Sequence, residues 1–371
     1  MKENRELLYS NRDIERFFGE FPLMSASLRV TKLCTLSCQH CYANANLNVK
    51  RQEEMTFQEI TDVIDQIAQI GAMEIFFTGG EPLVRQDDIV QILQYAHQRG
   101  LRVLISSNGT LVNTQFLEQV KNIPFKLFQI SLDGPEAVHE AIRGPKSFKK
   151  ATDALQAASK ILGKHVAVGS VMMKYNAATL GQVMAIGHGL GADIFALMLL
   201  IVSGRADATL EPDPFEQQRS LDAIFEVYRK LEGRLKFAVN TTLPPALVPA
   251  DLREQGLHRR FALCSFPNIL GIEANGDVAP CDGFFNNSEC IVGNIRNTPL
   301  HTIWQESPLL REIRQVEPSD LAGVCGRCIF REYCAGGCRA SAYLASGKLN
   351  TPDPICQRFF EANLFPKDCL R

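Results

Sequence analysis

Between residues 27 and 231, short apolar runs alternate six times with amphipathic stretches, and this leaves the chain few folds to choose from. The runs Ser27–Leu33, Glu74–Phe77, Arg102–Ser106, Leu127–Ser131, His165–Met173 and Ile194–Leu200 read as strands buried in a parallel sheet. Helical patterns lie between them. The clearest begins at Thr56, with Glu59 three residues on as a capping box, and carries Ile60, Val63, Ile64, Ile67 and Ile70 along one face. Gly71 and Gly100 stop the first two helices. Six strand–helix units with right-handed crossovers predict an α/β fold. A partial (β/α)6 barrel and an open doubly wound sheet both satisfy this pattern. Both gather ligands at the carboxyl ends of the strands.

The twelve cysteines are distributed unevenly: three fall in the first 41 residues, none between Cys41 and Cys264, and nine from there on. The opening MKENRELLYSNRDIERF is charged and lacks the apolar core of a signal peptide, so a reducing, cytoplasmic setting is expected. In such a setting clustered cysteines bind metal more often than they pair. A net charge of −2 argues against a nucleic-acid surface, and the longest apolar run, Ile194 to Val202, is too short to span a membrane. The 371 residues suit a large domain and a smaller one. A proline-rich stretch, Thr241 to Asp251, reads as the linker.

Cys34, Cys38 and Cys41 form a C-x3-C-x2-C run at the end of the first apolar stretch. Three thiolates on one loop can each take an iron of a 4Fe–4S cube and leave the fourth iron open to a small molecule. A three-cysteine zinc site and inert buried thiols are the alternatives. The second strand ends in Thr78-Gly79-Gly80-Glu81-Pro82. Read alone this is a turn; beside a ligand, the glycines would let it touch the backbone, and Glu81 could accept hydrogen bonds from an amine. Asn108-Gly109 and Asp133-Gly134 are ordinary turn signals at the next two strand ends.

With its triplet and G-G-E-P, the chain resembles the radical S-adenosylmethionine (SAM) enzymes. That resemblance implies that Cys34, Cys38 and Cys41 hold a 4Fe–4S cluster whose open iron binds SAM, which is split reductively to a 5′-deoxyadenosyl radical. It further implies that His40 lies beside the adenine, and that Gly79, Gly80 and Glu81 hold the methionyl amine. Ser131 and Arg143, twelve residues apart, match the pair that contacts the SAM ribose and carboxylate. Asn108 and the backbone near Leu199 complete the expected SAM contacts.

After residue 263 the pattern Cys264-x11-Gly276-x4-Cys281, then Cys325-x2-Cys328-x5-Cys334-x3-Cys338, then Cys356, is similar to the seven-cysteine SPASM domain. Carried over, Cys325, Cys328, Cys334 and Cys356 complete a distal auxiliary cluster. Cys264, Cys281 and Cys338 hold a nearer one that is a ligand short. Sulfatase-maturing enzymes place an extra cysteine where this chain has His258. An open iron, a ligand from Cys290 or His258, or a ligand from substrate all remain, with the open iron favoured. Cys290 and Cys369 otherwise read as buried thiols. A structural zinc is the rival for the C-x2-C…C-x3-C part. Asp282 matches the aspartate that takes a proton from substrate in sulfatase-maturing enzymes, against the plainer reading of a solvated turn.

The expected organisation is thus an N-terminal segment (1–25), a radical SAM partial barrel (26–235), a linker (236–263) and a small cysteine-rich SPASM domain with two auxiliary clusters (264–371). The resemblance implies a peptide maturase: hydrogen is abstracted from a precursor-peptide residue, which is then crosslinked, cleaved or oxidised. The expected partners are that peptide, a separate peptide-recognition protein, and a reductase, flavodoxin or ferredoxin as electron donor. The alternatives are tetrapyrrole side-chain modification in the haem d1 or alternative haem pathway, suggested by Ser203-Gly204-Arg205, then sulfatase maturation, and a non-enzymatic iron–sulfur electron carrier.

Overall fold

A computed structural model of the chain describes residues 22–48, 53–231, 234–239, 243–260 and 266–371. Seven parallel strands follow one another across the sheet in chain order. They are β1 (Ser25–Arg29), β2 (Glu74–Thr78), β3 (Arg102–Ser107), β4 (Leu127–Ser131), β5 (Val166–Met172), β6 (Ile194–Leu199) and β7 (Lys236–Val239). The order never reverses, so there is no point at which successive crossovers change face. That decides between the two sheets the sequence allowed: the strands wind in one sense, as in a barrel, and not doubly wound.

The first strand begins earlier than the apolar run suggested. β1 ends at Arg29, and Val30 to Leu33 form the approach to the cysteine loop. The first helix, α1 (Phe57–Gln69), has the expected capping box of Thr56 and Glu59 and buries Ile60, Val63, Ile64 and Ile67.

Two features correct the expected boundaries. β7 extends the barrel by a seventh strand, in a segment assigned to the linker. The proline-rich stretch is packed where it is described: Leu243, Ala246, Leu247 and Val248 are buried. Arg253 donates to the carbonyls of Ala246 at 3.0 Å and Val248 at 2.6 Å, and pairs with Asp368 near the C-terminal end.

The tail is not a separate body hung beyond the barrel. Its first strand, β8 (Ile269–Ile272), pairs in parallel with β1, and β9 (Asp277–Ala279) and β10 (Gly293–Asn294) continue the same sheet antiparallel. The turn between β8 and β9 therefore lies at the carboxyl end of β1, and β9 runs back so that the residues after it come level with Ser27 in mid-strand. Among the described residues, no helix is long and apolar enough to cross a membrane.

Candidate active site

Cys34 and Cys38 are buried and Cys41 is half-buried, all on the loop after β1. Burial pushes the Cys34 thiol up to about 12, and Glu81, Cys38 and Cys41 add to the effect. Burial also raises Cys38, while Arg143 pulls it back. Thiols that repel one another in a dry loop ionise readily only around a positive centre, which is what bound iron supplies.

The loop is held from the far side of the barrel. Arg205 donates its Nε–H to the carbonyl of Cys38 at 3.0 Å and its backbone N–H to Cys41 at 3.0 Å. Gly204, at φ +65°, lies so close that a Cβ would meet the Tyr42 carbonyl at 2.5 Å. Asn286 bridges Ser203 Oγ at 2.8 Å and the Tyr42 carbonyl at 2.6 Å. Ser203-Gly204-Arg205 therefore buttresses the cysteine loop.

The end of β2 braces the approach to the loop as well. Gly80 N–H donates to the Thr31 carbonyl at 2.7 Å and Glu81 N–H to Leu33 at 2.8 Å. A Cβ on Gly79 would meet the Thr31 carbonyl at 2.3 Å, and on Gly80 the Leu33 carbonyl at 2.0 Å. The glycines let two chain segments touch, whatever else lies nearby. Glu81 is fully buried and accepts from Asn108 N–H at 2.7 Å, Ser107 Oγ at 2.9 Å and Leu83 N–H at 3.2 Å. Its carboxylate latches β2 to β3.

Arg143 is likewise engaged. Its Nε–H donates to Asp133 Oδ2 at 2.5 Å, while Nη1 lies 4.0 Å from Cys38 Sγ and Nη2 3.5 Å from His40 Nε2. It sets the charge beside the cysteine loop. Burial alone would raise Asp133, but Arg143 and His40 hold it down to about 2. Burial lowers His40 to about 4, so the ring is neutral and Nδ1 is buried without a partner. A neutral ring with Nδ1 idle suits a place beside a purine.

Asn108 Nδ2 donates to Thr35 Oγ1 at 3.1 Å and lies 3.5 Å from Cys34 Sγ, so it touches the loop itself. Ser131 ends β4, buried and opposite Gly169. Leu199 ends β6 and lines the larger cavity described below.

Asp282 comes just after β9 and sits against β1 at Ser27 and Arg29. Ser27 Oγ donates to Oδ2 at 2.7 Å and Tyr42 Oη to the same oxygen at 3.3 Å. Oδ1 is buried without a hydrogen-bond partner. Burial raises this carboxyl above the usual range, with Arg29 and Ser27 opposing. One oxygen is anchored and the other is free, the arrangement a proton acceptor needs.

The sequence reading missed the rest of this network. Arg29, 1% exposed, donates to Glu273 Oε2 at 2.9 Å and to the Asp282 carbonyl at 3.0 Å, and stacks on Tyr42 and Phe285 at 4.9 and 4.6 Å. An arginine inside an apolar strand was the available signal, because a buried guanidinium must find partners.

Cys325, Cys328, Cys334 and Cys356 line one small cavity with Asp353 and Phe330. Burial raises Cys325 to about 11, against the hydrogen bond from the Asp353 backbone N–H, and raises Cys356 well above its ordinary value, with Asp353 and the neighbouring thiols adding to the latter. Four thiols around a void fit a cluster with one thiolate per corner. Among the described residues, no three His, Cys, Asp or Glu side chains close on one point as a single zinc ion requires.

Cys281 and Cys338 border a separate apolar group of Ala279, Phe284, Cys290 and Ala340. Cys264 lies outside the described residues. His258 packs edge-on against Phe330 and Tyr333, beside the distal cysteines. Cys290 and Cys369 are fully buried.

Comparison with known proteins decides the family. Residues 28–185 match the Radical SAM superfamily and residues 264–329 the iron–sulfur cluster-binding SPASM domain. The chain is 30% identical over 337 residues to mycofactocin maturase MftC of Mycobacterium tuberculosis, covering 88% of this chain and 81% of that protein. This chain belongs to the radical SAM superfamily.

A further relative in the superfamily is the AdoMet-dependent heme synthase of Methanosarcina barkeri, 28% identical over 342 residues, 88% of this chain and 94% of that protein. In fold the chain is similar to Streptococcus suis SuiB bound to S-adenosylmethionine, with TM-score 0.71, 18% identity and coverage of 91% of this chain and 77% of that one. The structure of anSMEcpe with bound AdoMet gives 0.70 at 18% identity, covering 92% of each chain. As a radical SAM enzyme with a SPASM domain, the protein uses 4Fe–4S clusters and SAM. When bound, SAM at the first cluster supplies a hydrogen-abstracting 5′-deoxyadenosyl radical, and auxiliary clusters supply an electron acceptor.

Proposed function

We propose that this radical SAM enzyme oxidises a residue of a ribosomally made precursor peptide at the mouth of the barrel. Cys34, Cys38 and Cys41 hold the SAM-binding cluster. Cys325, Cys328, Cys334 and Cys356 hold the distal auxiliary cluster, and Cys264, Cys281 and Cys338 the nearer one. His40 flanks the adenine, Ser131 and Leu199 approach the nucleoside, and Arg143 and Asn108 set the polarity around the thiolates. Asp282 Oδ1 takes a proton from the substrate after hydrogen abstraction.

The observation that carries this reading is the placement of Asp282. Pairing of β8 with β1 sets a carboxylate with one free buried oxygen between the cysteine loop and a tail cysteine. Similarity to the mycofactocin maturase, and in fold to SuiB, which has been solved with its precursor peptide SuiA, supports a peptide as substrate. A reductase or small electron-transfer protein supplies the electron, a separate protein presents the peptide, and the setting is the reducing cytoplasm.

Similarity to heme synthases favours a second reading, modification of a tetrapyrrole side chain. Anaerobic protein reconstituted with iron and sulfide, then given SAM and dithionite, is expected to form 5′-deoxyadenosine. An Asp282→Asn variant is expected to form it but to yield roughly 100-fold less modified peptide. Absence of 5′-deoxyadenosine from cluster-replete protein overturns the enzymatic reading. Turnover of a porphyrin but of no candidate peptide establishes the second one.

A further inference from the structure

Where the barrel mouth meets the tail lies a cavity of about 380 Å³. Its barrel wall includes Met172, Leu199 and Val202, at and beyond the ends of β5 and β6, and its tail wall includes Cys338, Leu344 and Ile355. The cavity thus touches both a residue expected near the SAM adenine and a cysteine assigned to the nearer auxiliary cluster. A substrate that loses hydrogen at one and an electron at the other has to occupy this space.

Three charged residues face the cavity: Glu211, Asp353 and Arg358. Asp353 is committed, accepting from the backbone N–H of Cys338 at 2.8 Å and of Ile355 at 3.0 Å. Arg358 donates Nη1–H to Glu211 Oε2 at 2.6 Å, while its Nε–H is buried with no partner. Its side chain and that of Glu211 are 29% and 25% exposed, so the pair is partly solvated and open to exchange. A partly exposed guanidinium held on the cavity wall by one exchangeable carboxylate can pass to a carboxylate that enters the cavity.

We infer that Arg358 binds a carboxylate of the substrate, displacing Glu211, and so orients an apolar molecule between the SAM site and Cys338. The inference rests on the proposed function above and names its substrate class: a largely apolar body ending in a carboxylate. The C-terminus of a peptide and a propionate of a tetrapyrrole both answer that description. Glu211 neutralises the arginine while the cavity holds no substrate and gives way to the entering anion.

The test uses the cluster-replete enzyme and two probe pairs under anaerobic conditions: acetyl-Leu-Leu-Phe as acid and as carboxamide, and coproporphyrin III and its tetramethyl ester. In the wild type the acid of at least one pair is expected to bind at least tenfold tighter than its neutral partner. Whichever pair shows the preference identifies the source. In Arg358→Gln the preference is expected to fall below threefold, and in Glu211→Gln to grow, because a competing carboxylate is gone. A merely structural pair would be harmed by either change. Equal binding of acid and neutral forms in both pairs overturns the inference, as does a preference that survives in Arg358→Gln. Should that variant lose iron, a preference reduced in Glu211→Gln overturns it and an increased one supports it. Formation of 5′-deoxyadenosine by the wild type is measured alongside, so failure of the radical reading is seen separately from failure of the carboxylate site.

Discussion

Asp353 accepts the backbone N–H of Cys338 at 2.8 Å, while its own backbone N–H lies 3.4 Å from Cys325 Sγ as a donor. One residue thereby joins cysteines assigned to different auxiliary clusters. Partners outside the ligand set orient the ligands and tune their affinity. Asp353→Ala is expected to weaken iron retention by the tail roughly 10- to 100-fold against a chelator, while the SAM-responsive signal of the first cluster persists. Iron analysis with electron paramagnetic resonance checks both. Unchanged tail iron would remove the role.

Gly80 makes a second prediction about chain contact. A methyl group there would lie 2.0 Å from the Leu33 carbonyl, and backbone cannot yield as a side-chain tip can. Gly80→Ala is expected to cost about 3 kcal/mol of stability, with a lowered Tm even when SAM is withheld. If the glycine served only the approach of SAM, the Tm of SAM-free protein would not move.

Glu59 couples the barrel to the tail. It closes the N-terminus of α1 and pairs with Arg296, whose Nε–H donates to Glu59 Oε1 at 2.6 Å. The hydrogen bond from Arg296, with those from Thr56, lowers Glu59 from 4.5 to about 2. A depressed carboxylate contributes stability that is complete above about pH 4.5 and is lost as pH falls towards about 2. Arg296→Ala is expected to be less stable by about 0.5–1 kcal/mol, since the pair is partly exposed. The gap should be flat from neutral pH to about 5 and close only below that. Urea unfolding followed by Trp304, the single tryptophan of the chain, measures it. A gap that widens on acidification contradicts the assignment.

Cys290 tests the nearer cluster. It is fully buried against Phe284 and Ala340, within the apolar group that Cys281 and Cys338 border. With the open iron favoured, Cys290→Ala is expected to keep its full iron content and to lose about 1 kcal/mol for the small void. Loss of iron on that substitution would instead make Cys290 the fourth ligand.

Much of the architecture was legible in the order of residues, because the signals were local. Apolar runs of strand length, the Thr56–Glu59 cap and the spacing of the cysteines depend on neighbours a few positions away. The strands from β2 to β6 lie within a residue or so of where the pattern put them. β7 was missed because four residues, Lys236–Val239, show little period, and the proline-rich stretch was misassigned because proline marks irregular backbone, whether packed or free.

The site was legible in its residue types and less so in its connections. Cys34, Cys38 and Cys41 announced iron chemistry by spacing alone. Leu83 apart, the partners of Glu81, Arg143 and Asp282 lay 10 to 255 positions away along the chain and could not be read from any window.

What the sequence determined by itself was the alternating fold, the cysteine sets and the family they imply, since each is written in short-range spacing. Only the tertiary structure decided that β8 lies against β1. That single pairing carries Asp282 to Ser27 and Tyr42 and builds the tail into the barrel's sheet. Strand pairing between distant segments is settled by which edges are left unsatisfied once everything else has packed, and no local pattern encodes that.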